Sequence, residues 1–79
     1  MATEAYILIE TSVGRVRDAA RELESLPGIE SVEPVTGPYD VIAVVNAPDL
    51  NAVGDLVTSR IHGIAGIIRT ITCLSVGAG

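Results

Sequence analysis

The chain has 79 residues with one cysteine, one histidine, no phenylalanine, no tryptophan and a formal net charge of −5. A chain of this length forms one domain, and its lone cysteine and histidine exclude an internal disulfide and a structural zinc site. The acidic charge argues against binding to a phosphate backbone, and the lack of Phe and Trp removes the aromatic platforms that stack bases. Hydrophobic residues make up 48% of the sequence, more than so small a monomer can bury, so we expect self-association.

The sequence also indicates where the protein works. The scarcity of cysteine and the lack of a signal peptide predict a cytoplasmic protein. No apolar stretch approaches the roughly 18 residues that a membrane-spanning helix needs. We therefore expect no contact with a membrane.

The first half of the chain predicts a strand, a helix and an edge strand. The apolar, β-branched run 5–11 is typical of a strand, and Ser12 has the side chain of a helix N-cap. Apolar residues then recur at helical spacing over 16–26, and a Pro-Gly pair ends this helix. Residues 29–36 alternate in polarity, and Pro34, which lacks an N–H group, predicts that this second strand lies at an edge.

The second half predicts a central strand, a helix and a last strand. Residues 41–45 are apolar on both faces, which is typical of a central strand within the run 39–46. Asp49 is the predicted N-cap of the second helix, which ends near His62. In the last strand, 67–76, simple alternation puts one set of side chains on each face. The first set is Ile68, Thr70, Thr72, Leu74 and Val76, and the second is Ile67, Arg69, Ile71, Cys73 and Ser75.

The order βαββαβ predicts an α+β, ferredoxin-like sandwich over residues 1–79. Right-handed crossovers place the first and third strands in the middle of one four-stranded antiparallel sheet, with both helices on one face. The other face of the sheet is left bare and apolar. We expect a second copy of the chain to cover it, so that the domain dimerises through the sheet.

Several short motifs occur in a fixed order along the chain. The segment Val35-Thr36-Gly37-Pro38-Tyr39-Asp40 is a Gly-x-aromatic-Asp turn before an apolar strand, and Ala-Pro-Asp-Leu at 47–50 opens the second helix. Pro-Gly-Ile at 27–29 precedes the second strand, and Gly-Ile at 66–67 precedes Thr-Ile-Thr at 70–72. From about Ala5 to Val76 the chain resembles the effector-binding domain, or RAM domain, of the Lrp/AsnC family of bacterial transcriptional regulators.

The resemblance implies a function. Family members form dimers through their sheets and then rings of dimers, commonly octamers, with an amino-acid effector between dimers. Full-length members carry an N-terminal helix-turn-helix that this sequence lacks, so we expect a stand-alone sensing and oligomerisation module. It would act on transcription through full-length Lrp/AsnC-type regulators and bind no nucleic acid directly. Pro38 and Ser75 depart from the family, which commonly has a polar residue and an apolar residue at these positions.

The chemistry of the turn agrees with an amino-acid site. Gly37 permits a backbone conformation closed to other residues, exposed turn N–H groups bind carboxylates, and Asp40 can pair with an α-ammonium group. The alternative is an ordinary hairpin turn in which Asp40 caps its own backbone. The resemblance also implies that the second helix and the last strand supply a pocket wall or a contact between dimers. The alternative for these residues is ordinary packing or β-propensity. The full candidate set is Gly37, Pro38, Tyr39, Asp40, Leu50, Thr70, Thr72, Cys73, Leu74 and Ser75.

Other proteins with this strand order fit less well. A dimeric ferredoxin-like enzyme needs an acid–base pair, and the chain has no Cys–His pair and no matched carboxylates, so we expect no catalytic residues. A metal chaperone needs a Cys-x-x-Cys loop, which is absent, so we expect no metal and no cofactor. An ACT-type amino-acid-binding regulatory domain has the same topology and a related role. This domain type remains the main alternative, and a glycine near the end of the first strand, Gly14 here, fits it loosely.

Overall fold

The computed structural model describes residues 2–76. Its elements follow the predicted βαββαβ order, and the second helix continues into one π-helical turn. In chain order they are β1 (Thr3–Thr11), α1 (Val16–Glu24), β2 (Ile29–Pro34), β3 (Val41–Ala47), α2 (Leu50–Leu56), the π turn (Val57–Ile61) and β4 (Ile67–Leu74).

The four strands form one antiparallel sheet in the order β2-β3-β1-β4. β1 lies in the centre, with Ile7 opposite Ala43 of β3 on one side and opposite Thr72 of β4 on the other. β2, which contains Pro34, is an edge strand, as the missing N–H group predicts. The predicted fold class is therefore confirmed.

The core is a single layer between the sheet and the helices. Alternate residues of β1 and β3 point into this layer because side chains along a strand alternate between its two faces. The helices add apolar residues at helical spacing. The largest fully buried side chains of the layer are Ile7, Ile9, Leu23, Val41, Val45, Val53 and Ile61.

The opposite face of the sheet, which we call the open face, carries apolar side chains that no described residue covers. Tyr6 lies opposite Val44 and Cys73, and Leu8 lies opposite Ile42 and Ile71. Tyr6 is 41% exposed and Ile71 is 40% exposed. A contiguous apolar surface of this kind on a small domain is typical of an interface.

The helix starts differ from each other in how they are capped. Asp49 caps α2 as predicted, since its Oδ1 accepts a hydrogen bond of 2.8 Å from the N–H of Ala52. The prediction for Ser12 is wrong: Arg15 is the N-cap of α1, and no side chain caps that helix. Ser12 instead donates its N–H to the carbonyl of Gly66 at 2.8 Å, which holds it in a loop ahead of the helix.

A β-bulge changes the faces of β4. Arg69 lies opposite Glu10 but Ile67 lies opposite Thr11, so Ile68 is an extra residue in the strand. Simple alternation placed Ile67 on the face of Arg69, and that prediction is wrong. The bulge turns Ile67 to the helix side, where it packs against the core.

Candidate functional site

The turn between β2 and β3 leaves backbone donors free. Gly37 has a φ of +127°, a conformation that side-chain-bearing residues rarely adopt, and no atom lies within 4 Å of the place where its Cβ would be. The turn is closed by the N–H of Val35, which donates to the carbonyl of Asp40 at 2.8 Å. Within the described residues the N–H groups of Gly37 and Tyr39 donate no hydrogen bond. These two groups can bind an anion.

The carboxylate of Asp40 ties this turn to the end of β1. Its Oδ2 accepts hydrogen bonds from the backbone N–H of Thr11 at 2.8 Å and from the Thr11 hydroxyl at 3.3 Å. The backbone N–H of Asp40 donates to the carbonyl of Ile9 at 2.9 Å. Oδ1 has no hydrogen-bond partner within residues 2–76. The acid therefore holds β1 with one oxygen rather than capping its own turn, and its other oxygen can accept a further hydrogen bond.

The candidates outside the turn lie at different distances from it. Leu50 begins α2 beyond the far end of β3, and the seven residues of that strand put it about 20 Å from Asp40. Thr70 lies opposite Ile9, near the turn, whereas Leu74 lies opposite Ala5, near the far end. A single protomer thus does not bring the turn and Leu50 into one pocket.

The candidates on β4 divide between the two faces of the sheet. Thr70, Thr72 and Leu74 point to the helix side, but Thr72 is exposed and Leu74 remains 44% exposed. Cys73 points to the open face beside Tyr6 and is exposed. Ser75 follows the strand, and its N–H donates to the carbonyl of Glu4 at 2.9 Å. The side chains of Thr72, Leu74 and Leu50 are therefore exposed in the protomer.

The sequence did not indicate a contact between His62 and Thr70. The His62 Nε2 lies 2.9 Å from the Thr70 hydroxyl, at a shallow cleft of about 370 Å³ that Ile67, Ile68 and Arg69 complete. Spacing alone cannot pair the end of a helix with a strand that follows it across a turn. The contact gives Thr70 a fixed partner within its own chain.

Two other kinds of site are absent from the part of the chain that the structure describes. Residues 2–76 contain no group of three or more His, Cys, Asp or Glu side chains placed to hold a metal ion. Their helices are too short to cross a membrane.

Comparison with known proteins assigns the family. The model of the Lrp/AsnC ligand binding domain matches residues 4–77. The chain belongs to this family. The family is a ligand-binding domain of transcriptional regulators and not an enzyme family, and the match favours it over an ACT-type domain.

Curated relatives of this Lrp/AsnC domain are longer proteins. An uncharacterised helix-turn-helix transcriptional regulator of Pyrococcus horikoshii is 30% identical over 78 residues, which are 95% of this chain and 52% of that protein. A regulator of the same description from Pyrococcus furiosus is 28% identical over 78 residues, which are again 95% of this chain and 52% of that protein. The Lrp/AsnC domain described here spans about half the length of the curated relatives it matches.

Solved structures share the Lrp/AsnC domain fold. The protein TTHA0845 of Thermus thermophilus is 35% identical with a TM-score of 0.92, over 98% of this chain and 96% of that one. Escherichia coli AsnC superposes with a TM-score of 0.90 at 23% identity, over 96% and 52%. A Neisseria meningitidis transcriptional regulator in complex with L-methionine superposes with a TM-score of 0.85 at 18% identity, over 95% of this chain and 50% of that one. The last two establish the fold alone.

Proposed function

We propose that this chain is an amino-acid-sensing and oligomerisation module that modulates transcription through full-length Lrp/AsnC-type regulators. The observation that supports it most directly is the Gly37–Asp40 turn, which combines two unused N–H donors with one unused carboxylate oxygen. The turn N–H groups would bind the α-carboxylate and Asp40 the α-ammonium group. The Neisseria regulator of the same fold, solved with L-methionine, supports an amino acid as the ligand.

The ligand site would be completed by neighbouring molecules. Leu50 is 57% exposed and lies too far from Asp40 to reach a ligand at the same protomer's turn. We propose that a neighbour supplies Leu50 and the helix-side face of β4, with Thr70, Thr72 and Leu74. Ligand binding and the association of dimers would then be coupled, because each completes the other.

The dimers themselves would form through the open face. Tyr6, Ile42, Val44 and Ile71 give this face an apolar surface, and a two-fold axis lets the same surface of two copies cover each other. Rings of such dimers are the larger assembly that we propose.

The proposed action on transcription requires a partner. The net charge of −5 opposes binding of this chain to DNA, since non-specific affinity depends on Lys and Arg at phosphates. The curated relatives are helix-turn-helix regulators about twice as long. We propose that this chain forms mixed assemblies with such a regulator in the cytoplasm and changes the affinity of that regulator for DNA.

Native mass spectrometry with a panel of the common amino acids tests this function. We expect dimers and larger even-numbered assemblies, with one amino acid raising the mass of the assembly and shifting its size. A gel-shift assay should show DNA binding only after a full-length regulator is added. A monomer at micromolar concentration that binds none of the amino acids would refute the proposal.

A further inference from the structure

A second cleft lies at the opposite end of the sheet from the Gly37–Asp40 turn. It has a volume of about 420 Å³ and lies between the turn that precedes β2 and the outer face of α2. This volume is within the range of pockets that bind small molecules. All of its walls come from one protomer, so it does not depend on assembly or on the function proposed above.

The floor of the cleft is apolar and its wall is fixed. Pro27, Ala47 and Leu56 supply the apolar surface. Gly28 has a φ of +90°, and its carbonyl accepts a 2.9 Å hydrogen bond from the N–H of Asn46. A Cβ at Gly28 would lie 3.5 Å from the carbonyl oxygen of Asn46 and 3.9 Å from Leu56 Cδ2, so this turn is in van der Waals contact with both β3 and the helix.

The rim has one acid and one base without partners. Asp55 and Arg60 both line the cleft, and neither makes an ion pair or a side-chain hydrogen bond within residues 2–76. Arg15 and Arg69 are, by contrast, paired with Asp18 and Glu10. An unpaired arginine beside an apolar floor is suited to a carboxylate with an apolar body.

The π turn brings these two charges to the same face. In a regular α-helix, side chains five residues apart point about 140° from each other. Here the His62 N–H donates to the carbonyl of Val57 at 3.0 Å, five residues earlier, so each residue of the turn advances by a smaller angle. Arg60 therefore rotates back toward Asp55 and Leu56.

We propose that this cleft binds the zwitterion of a short aliphatic α-amino acid. Arg60 binds the carboxylate, Asp55 binds the ammonium group and the apolar floor takes the side chain. Five residues of helix put the Cα atoms of Asp55 and Arg60 roughly 7 Å apart along the axis, so both side chains can reach one small ligand. This spacing fits an α-amino acid, whose adjacent charged groups each need a protein partner at about 3 Å.

Amide NMR of the deuterated full chain, titrated with L-leucine, tests the site. We expect leucine to shift the amides of Gly28, Ala52 and Ser59. Arg60→Gln should weaken binding about tenfold to a hundredfold, because one charge-assisted hydrogen bond is lost. Arg17→Gln is the matched control, since Arg17 is also exposed and unpaired in the described chain, and it should bind as the wild type does.

Two analogues and one further variant make the outcome decisive. α-Ketoisocaproate lacks the ammonium group and isoamylamine lacks the carboxylate, so each should bind at least about tenfold more weakly than leucine. Asp40→Asn should leave the shifts at Gly28 unchanged. The proposal is overturned if leucine shifts only the amides near Gly37 and Thr11, if Arg60→Gln binds like the wild type, or if either analogue binds as tightly as leucine.

Discussion

The carboxylate of Asp40 accepts a hydrogen bond of 2.8 Å from the backbone N–H of Thr11, 29 residues earlier in the chain. Thr11 is buried at the end of β1, so this bond fixes the position of the β2–β3 turn relative to the centre of the sheet. The same carboxylate is the proposed partner of a ligand's ammonium group. Because the two roles use different oxygens, substitutions can separate them.

We predict that Asp40→Asn keeps the fold and loses amino-acid binding at the Gly37–Asp40 turn. The asparagine oxygen can still accept the N–H of Thr11, but the side chain no longer has a charge for the ammonium group. Asp40→Ala should lose both the hydrogen bond from Thr11 and the charge for the ammonium group. Its free energy of unfolding should fall by about 1–3 kcal/mol because the buried N–H is left without an acceptor. Urea unfolding and calorimetry measure the two effects. If both variants bind every amino acid as the wild type does, Asp40 is structural only.

Two adjacent residues of β3 should respond differently to the same substitution. Val45 is fully buried against the helices, whereas Val44 lies on the open face. Val45→Asp should unfold the domain, since an unpaired buried charge costs several kcal/mol. Val44→Asp should keep the circular dichroism of the wild type and dissociate the proposed dimer, as light scattering would measure. Val13→Asp, at a fully exposed loop position, is the control. Retained assembly in Val44→Asp would show that the open face is not the interface.

Gly14 and Gly66 lie in two loops beside the start of α1, and replacing each by alanine should lower the free energy of unfolding by a different amount. Gly14 and Gly66 have φ values of +81° and +94°, so alanine is strained at both by roughly 1–2 kcal/mol. A Cβ at Gly14 has open space, but one at Gly66 would lie 2.8 Å from the Cβ of Arg15. Gly66→Ala should therefore lower the free energy of unfolding by about 1 kcal/mol or more beyond Gly14→Ala. Equal losses in urea unfolding would mean that the start of α1 moves aside without cost.

Replacing the two residues predicted as helix caps, Asp49 and Ser12, should lower the free energy of unfolding by different amounts. Asp49→Ala removes the acceptor of the Ala52 N–H and should lower the free energy of unfolding by about 1 kcal/mol. Ser12→Ala should change it by less than about 0.5 kcal/mol, because only backbone atoms of Ser12 bond to Gly66 and Arg15. Thermal or urea unfolding of both variants checks this. A loss at Ser12 as large as that at Asp49 would contradict the assignment of Arg15 as the cap.

Local sequence patterns were enough to predict the order of the elements, the central place of β1 and β3 and the family. Strand alternation, helical spacing and the apolar run 41–45 are local patterns that follow directly from the periods of the two structures. The missing N–H of Pro34 and the side chain of Asp49 act within a few residues of their own positions. Such features are visible in a short window of sequence.

The contacts between distant segments could not be predicted in this way and are seen only in the folded domain. The N–H of Ser12 donates to the carbonyl of Gly66, and the N–H of Thr11 donates to the carboxylate of Asp40. The ring of His62 contacts the hydroxyl of Thr70. The bulge at Ile68 and the π turn likewise fit β4 and the second helix to the rest of the domain. Each of these depends on the free energy of packing two surfaces together. A local pattern contains only one of those surfaces, so it cannot predict the contact.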